Sequence, residues 1–171
     1  METKSSLRLP GSIFIVLVLY GVVQARFYSS RMPWVIASHF GAGGTPNGWQ
    51  TQSAFFVIEI FVVAIAALLG FVVPKTLSAL PVSMINLPNK QYWLSPERRG
   101  STLDYFRVHF AWCGCALLAF LLFVMELAFR ANLTTPHQLN NPAFIAAMVV
   151  FLAFMVFWTV RLIRHFTSIA T

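Results

Sequence analysis

Four long apolar stretches constrain this chain more than any other feature of its sequence. They occupy residues 11–27, 54–73, 105–129 and 142–162. A helix needs about 20 mostly apolar residues to cross the roughly 30 Å hydrocarbon core of a bilayer. Only 10% of the 171 residues are charged, against roughly 25% in a soluble domain, so few side chains remain to cover a water-facing surface. The sequence predicts an all-α integral membrane protein, a four-helix bundle forming a single domain.

The distribution of basic residues predicts the orientation of the bundle. Segments next to a span that carry more Lys and Arg face the cytoplasm. One side of the predicted membrane carries Lys4, Arg8, Lys75, Lys90, Arg98, Arg99, Arg107, Arg161 and Arg164. The other side carries only Arg26, Arg31 and Arg130. We therefore expect both termini and the loop of residues 74–104 inside, and the loops that contain His39 and His137 outside.

The net charge of +7 has a membrane explanation rather than a nucleic-acid one. The basic residues lie at predicted helix ends and in short loops, where they set topology and meet anionic headgroups. No basic helix with interleaved aromatic residues is evident, as nucleic-acid binding would require. The expected partners are the lipid bilayer and a membrane or cytoplasmic protein, with no nucleic acid.

The first apolar stretch also allows a second interpretation, a cleaved signal peptide. A basic start, a short apolar run over residues 13–23 and the small-residue site Val23-Gln24-Ala25 are typical of such a segment. Cleavage would leave three spans. It would not change the side that the later loops face.

Local signals predict where the last two spans begin. Ser101-Thr102-Leu103-Asp104 resembles a capping box, which would start a helix leading into the third span. Asn141-Pro142 offers an N-cap residue followed by Pro at the first helical position.

The predicted outer loop, residues 28–53, has the most distinctive sequence of the chain. Gly41, Gly43 and Gly44 permit backbone angles that other residues resist. Pro46-Asn47-Gly48 combines a fixed φ, a residue tolerant of left-handed geometry and a glycine, and so predicts a turn.

Two interpretations of this outer loop remain open. Trp34 and Trp49 are expected at the headgroup level, which would make the segment an ordered interfacial loop. The alternative is a binding loop that presents His39, because an imidazole can titrate near neutral pH or bind a metal ion.

The loop, placed just after a first span, resembles a bacterial membrane domain of unknown function that also forms the N-terminal end of SdpI-type toxin-immunity proteins. The resemblance covers roughly residues 10–60 and rests on Pro33, His39, Phe40, Gly44, Thr45, Pro46, Asn47, Gly48 and Trp49. The family often has a Lys three residues after the Trp, where this chain has Gln52. The resemblance implies a bacterial cytoplasmic membrane protein with His39, Gly44, Pro46, Gly48 and Trp49 as functional candidates. In the immunity proteins it implies protection against a secreted peptide toxin, coupled to capture of a repressor at the membrane.

The predicted inner loop contains a second cluster, residues 86–99, similar to the cytoplasmic loop of small stand-alone members of that group. Aromatic residues beside basic ones are what a segment lying on an anionic leaflet needs. The alternative is a protein-docking surface. Its candidate residues are Tyr92, Trp93, Glu97, Arg98 and Arg99.

Two carboxylates lie inside predicted spans. Glu59 shares a helical stripe with Ala66 and Gly70, and Glu126 shares one with Cys115. An ionisable group in the membrane is costly and usually faces the bundle interior, and small residues favour close helix packing. Both carboxylates are therefore expected to face protein.

The chemistry of these carboxylates is open between two interpretations. With His39, Glu59 and Glu126 could form one outward-facing site for a divalent metal or a proton, and a metal is the only cofactor that the residues suggest. The other interpretation is ion pairing. Glu126 would then pair with Arg130 one turn away, and Glu59 with Arg26 or Arg31.

These observations favour a non-enzymatic multi-pass membrane protein of the immunity or signalling type, with the outer loop facing a ligand. No nucleophile–base pair, phosphate loop or HExxH motif is evident, which argues against the commoner hydrolases. One alternative is a membrane-embedded metal- or proton-dependent protein that uses His39, Glu59 and Glu126. Another is an accessory subunit of a larger membrane complex.

Overall fold

The computed structural model describes residues 6–168, so Lys4 of the charge count lies outside the described part of the chain. The elements in chain order are α1 (Arg8–Ser29), β1 (Val35–Phe40), β2 (Pro46–Thr51), α2 (Gln52–Ala67), a π-helical segment (Leu68–Val72), α3 (Val73–Thr76), 3₁₀ turns (Leu77–Ala79 and Val82–Met84), α4 (Lys90–Trp93), α5 (Arg99–Asn132) and α6 (Asn141–Thr167). Four helical stretches are long and apolar enough to cross a membrane: α1, the stretch Gln52–Ala79, α5 and α6. The predicted all-α bundle of four spans is confirmed, and the chain is a multi-pass membrane protein.

Helix α5 is the central helix of the bundle. It packs against α1, against α2 with the π-helical segment, and against α6. The core between the spans is an apolar cluster formed by Phe14, Ala66, Cys115, Leu118 and Leu122. Helix α6 leaves large apolar side chains exposed along its length, as expected of a helix that faces lipid.

Two spans approach closely at Gly70 of the π-helical segment and Gly114 of α5. A Cβ atom added to Gly114 would lie 2.8 Å from the Cα atom of Gly70 and 3.0 Å from the carbonyl oxygen of Ala66. Small residues at such an interface let two backbones touch. The small-residue face predicted for the second span therefore does pack against protein.

The predicted outer loop is a β-hairpin. β1 and β2 pair antiparallel, with Val35 opposite Thr51 and Phe40 opposite Pro46. We call β1, β2 and the turn between them the hairpin, and the end of the bundle that carries it the hairpin end. Helices α1 and α5 run towards this end, and α2 and α6 start from it.

The prediction of a turn at Pro46-Asn47-Gly48 is wrong, because these residues lie in β2. The chain reverses over residues 41–45, where the N–H of Gly41 donates to the carbonyl of Thr45. Pro46 is tolerated as the first residue of a strand. A Cβ atom on Gly48 would lie 2.9 Å from the Cβ of His39, so this glycine serves close strand contact rather than a turn.

The two predicted helix starts are each displaced. α5 begins at Arg99, and the hydroxyl of Ser101 donates to the carbonyl of Arg98 instead of capping a helix. α6 is capped by Asn140, whose side chain accepts from the N–H of Ala143 at 3.1 Å. The neighbouring residue expected as the cap, Asn141, donates from its amide to the carbonyl of Ala42 in the hairpin turn.

Candidate functional site

Asn132, the last residue of α5, holds the hairpin on the bundle. Its side chain is buried and pairs with the backbone of Ala37 in β1, accepting from the N–H at 2.7 Å and donating to the carbonyl at 2.8 Å. The same amide donates to the carbonyl of Ala128 one turn earlier, at 2.9 Å. Because Ala37 is itself fully buried, this amide supplies partners that water cannot supply.

The turn of the hairpin is held by the connection between α5 and α6. The N–H of Leu139 donates to the carbonyl of Gly44 at 2.9 Å. Gly44 has a positive φ of 79°, and a Cβ atom there would lie 2.8 Å from the carbonyl oxygen of Leu139. Both facts require glycine at this position. The hairpin is therefore fixed at its turn as well as at its first strand.

Three side chains in or directly beside the hairpin are exposed. Trp34 is 72% exposed and Trp49 is 52% exposed. Trp49 contacts the ring of His137 edge to face, with 5.6 Å between the ring centres. His39 is exposed, and its Nδ1 forms a short hydrogen bond with Oδ1 of Asn47. Of the candidate residues, His39 and Trp49 therefore offer side chains, whereas Gly44, Pro46 and Gly48 shape the backbone.

The structure does not bring His39, Glu59 and Glu126 together. His39 lies on the exposed hairpin, and the two carboxylates lie among the spans in separate surroundings. Within residues 6–168, no three His, Cys, Asp or Glu side chains gather where a metal ion could be held. The predicted joint metal site is therefore not formed in the described part of the chain.

Glu126 is fully engaged with neighbouring side chains. Its carboxylate accepts from the hydroxyl of Tyr28 at 2.8 Å, from Nε2 of Gln24 at 2.8 Å and from Nε of Arg130 at 2.7 Å. The predicted ion pair with Arg130 is confirmed. The two donors from α1 were not predicted, because nothing local in the sequence indicates which helix lies opposite Glu126.

Tyr28→Phe is expected to cost more stability than Arg130→Met, although only the latter breaks an ion pair. Tyr28 is buried and its lost hydrogen bond should cost about 1 kcal/mol. The side chain of Arg130 is 71% exposed, and exposed ion pairs contribute little. Thermal unfolding of both variants in the same lipid would test this order. A larger loss for Arg130→Met would mean that the ion pair dominates.

Glu59 is buried, with 5% of its surface exposed, and both of its carboxylate oxygens lack a hydrogen-bond partner. The predicted ion pair with Arg26 or Arg31 is not formed: Arg31 donates to the carbonyl of Phe27 and lies over the ring of that residue. Glu59 and Arg26 both line a groove between α1 and α2 with a volume of about 560 Å³. Glu59 is thus the carboxylate without a partner, and its side chain lines a groove.

The inner-loop candidates divide into anchors and surface residues. Nε1 of Trp93 donates to the carbonyl of Phe166 at 3.0 Å, and the guanidinium of Arg99 donates to the carbonyl of Leu80 at 2.9 Å. These contacts tie the inner loop to the end of α6 and to the end of the second span. Trp93 and Arg99 are therefore structural.

The other inner-loop candidates lie nearer the surface. The guanidinium of Arg98 lies 4.1 Å from the ring centre of Tyr92, a cation–π contact. Glu97 is exposed, and a hydrogen bond from its own backbone N–H holds the pKa of its carboxyl below its usual range. Tyr92, Glu97 and Arg98 remain the inner-loop residues that a partner could contact.

The end of the bundle opposite the hairpin contains a stack of four aromatic and imidazole rings that the sequence did not predict. Trp158 stacks on His109 at 4.5 Å, His109 on Tyr105 at 5.3 Å, and Tyr105 on His165 at 3.8 Å between ring centres. The two inner members, Tyr105 and His109, are four residues apart on α5, and the two outer members, Trp158 and His165, are seven residues apart on α6. That spacing places each pair on one helix face. It was the signal in the sequence from which the ring stack could have been predicted.

Comparison of the chain with models of known protein families, with curated proteins and with solved structures gives no match.

Proposed function

We propose that the chain is a non-enzymatic bacterial cytoplasmic membrane protein of the immunity or signalling type, similar to SdpI-type proteins, with the hairpin facing a ligand on the outer side. The observation that carries this proposal is a hairpin that is fixed at two points and has two exposed tryptophans, Trp49 in β2 and Trp34 directly before β1. Large aromatic side chains are the commonest anchors of protein–protein contacts. A backbone ordered before binding also loses less entropy when the partner arrives.

The proposed ligand is a secreted, membrane-active peptide, as the resemblance implies. Such a peptide is amphipathic and collects at the membrane surface, where tryptophan side chains also prefer to lie. Trp34 and Trp49 would contact its apolar face, and His39, oriented by Asn47, would offer a polar contact beside them. The anchored hairpin would thus hold the toxin at the surface and away from the bilayer core.

Protection by the chain should depend on its two exposed tryptophans. We expect expression of the chain in a toxin-sensitive bacterium to raise the inhibitory concentration of a peptide toxin of this type. Trp34→Ala combined with Trp49→Ala should lower that protection about tenfold or more, because truncating an aromatic anchor costs more than about 1 kcal/mol. Growth against a toxin dilution series, at equal membrane levels of protein, is the measurement.

Trp112→Ala is the matched control. Trp112 is also partly exposed but lies within α5, far along the chain from the hairpin, so protection should be unchanged. Full protection by the double variant, or none by the correctly inserted parent chain, would refute the proposal.

A further inference from the structure

The groove between α1 and α2 contains a buried carboxylate that binds nothing in the described structure. Both oxygens of Glu59 are buried without a hydrogen-bond donor. A buried charge is very unfavourable unless it is paired and hydrogen-bonded. Natural proteins retain such a group in a membrane mainly where it has a partner or a function.

The nearest described part of α1 supplies no hydrogen bond to Glu59. Gly21 of α1 faces it: a Cβ atom at Gly21 would lie 3.9 Å from Oε1 of Glu59. Gln24, one turn further along α1, uses its Nε2 on the carbonyl of Leu122 and on Glu126. The Oε1 of Gln24 is buried and unpartnered. The carboxylate of Glu59 therefore receives no hydrogen bond from the residues described around it.

The walls of the groove are apolar, and the groove opens on the surface of the spans. Val18, Phe56 and Val63 line it, and Val22 and Ile60 at its rim are largely exposed. In the membrane this surface contacts lipid chains. A ligand that fits must therefore enter from the bilayer, carry an apolar tail and bring its own donor.

Neither a metal ion nor the neighbouring Arg26 meets this description. Divalent cations need several oxygen or nitrogen ligands, and no group of three suitable side chains exists within residues 6–168. Arg26 lines the same groove but is exposed, and it lies nearer the hairpin end than Glu59's neighbour Gly21. An ammonium group carries three N–H donors and a positive charge, which suits a carboxylate that has no other donor.

We propose that this groove binds an amphiphilic primary amine that enters from the bilayer. Its ammonium group lies on the carboxylate of Glu59, and its apolar tail runs between α1 and α2. The site is separate from the hairpin, so this inference goes beyond the proposed function and does not depend on it.

A photoreactive dodecylamine tests the site directly. The protein is reconstituted in lipid nanodiscs and irradiated with an amine that carries a diazirine on its alkyl chain, and labelled peptides are mapped by mass spectrometry. We expect labels on α1 and α2 near Gly21 and Ile60, displaced by unlabelled dodecylamine but not by dodecanol. In the Glu59→Gln variant, the concentration of unlabelled dodecylamine that halves the labelling should rise about thirtyfold. Removing one partner of a buried charge pair is costly.

Two further variants make the result specific. Glu126→Gln is the matched control, because that carboxylate already has three donors, and labelling should be unchanged. Ala25→Phe fills the groove while keeping Glu59, and should reduce labelling. Thermal unfolding first establishes that each variant is folded. Three results would each overturn the proposal. Dodecylamine could displace the label equally well from Glu59→Gln and from the parent protein, dodecanol could displace it as well as dodecylamine does, or α1 and α2 could remain unlabelled.

Discussion

Leucine in place of Asn132 is expected to release the hairpin from α5 and to lower the free energy of unfolding by roughly 2–6 kcal/mol. Leucine has nearly the same shape as asparagine but cannot pair with the N–H and carbonyl of Ala37. Each of these buried backbone groups would lose its partner, at about 1–3 kcal/mol per group. Hydrogen exchange of the amides in β1 and β2 should become faster, and thermal unfolding should shift downwards.

Two comparisons separate this anchor from other sources of stability. Asn132→Asp still accepts from the N–H of Ala37 but cannot donate to its carbonyl, so its effect should be intermediate. Asn86→Leu, at an exposed position of the inner loop, should leave the hydrogen-exchange rates of the hairpin amides unchanged. If the hairpin amides of Asn132→Leu keep their protection, the apolar cluster beneath, around Ile36 and Phe129, holds the hairpin without the amide.

The sequence predicted the spans well because burial in lipid produces unbroken apolar runs, which need no tertiary information. The helices extend beyond the predicted spans. Residues 99–104 of α5 are largely polar, and Lys75 lies in the extension of the second span. Helices continue beyond the hydrocarbon core into the interface, where polar side chains are tolerated, so the end of an apolar run is not the end of a helix.

The hairpin was missed because its strands have weak local signals. β2 reads Pro-Asn-Gly-Trp-Gln-Thr, with Pro, Asn and Gly that usually mark turns. What holds these residues extended is their pairing with β1, which Asn132 of α5 anchors through Ala37. Tertiary contacts of this kind override local propensity, and a single sequence does not reveal them.

The two carboxylates show the same division between local and distant information. The pairing of Glu126 with Arg130 follows from their spacing on one helix. Its contacts with Tyr28 and Gln24, and the isolation of Glu59 beside Gly21, depend on how α1 lies against α2 and α5. Sequence reasoning identified both carboxylates as facing protein, but only the packing shows that one is satisfied and the other is not.

Valine in place of Gly114 is expected to lower the free energy of unfolding by about 3 kcal/mol or more. The new Cβ atom would lie within 3 Å of the backbone of the second span, at Gly70 and Ala66. Backbone atoms cannot move aside as a flexible side chain can, so α2 and α5 must separate. Separation would also loosen the apolar cluster that Ala66 forms with Leu118. Unfolding in lipid–detergent mixtures measures the loss.

The same substitution at Gly100 is the matched control. Gly100 lies on the same helix, α5, and a Cβ atom added there would have no neighbouring atom within 4 Å. It should be neutral or slightly stabilising, since valine has the higher helix propensity of the two residues. Gly114→Ala should fall between the two, because it adds the Cβ contact but no further branch. If Gly114→Val were as stable as Gly100→Val, the spans would have to tolerate a wider spacing. The contact between Gly70 and Gly114 would then contribute nothing to stability.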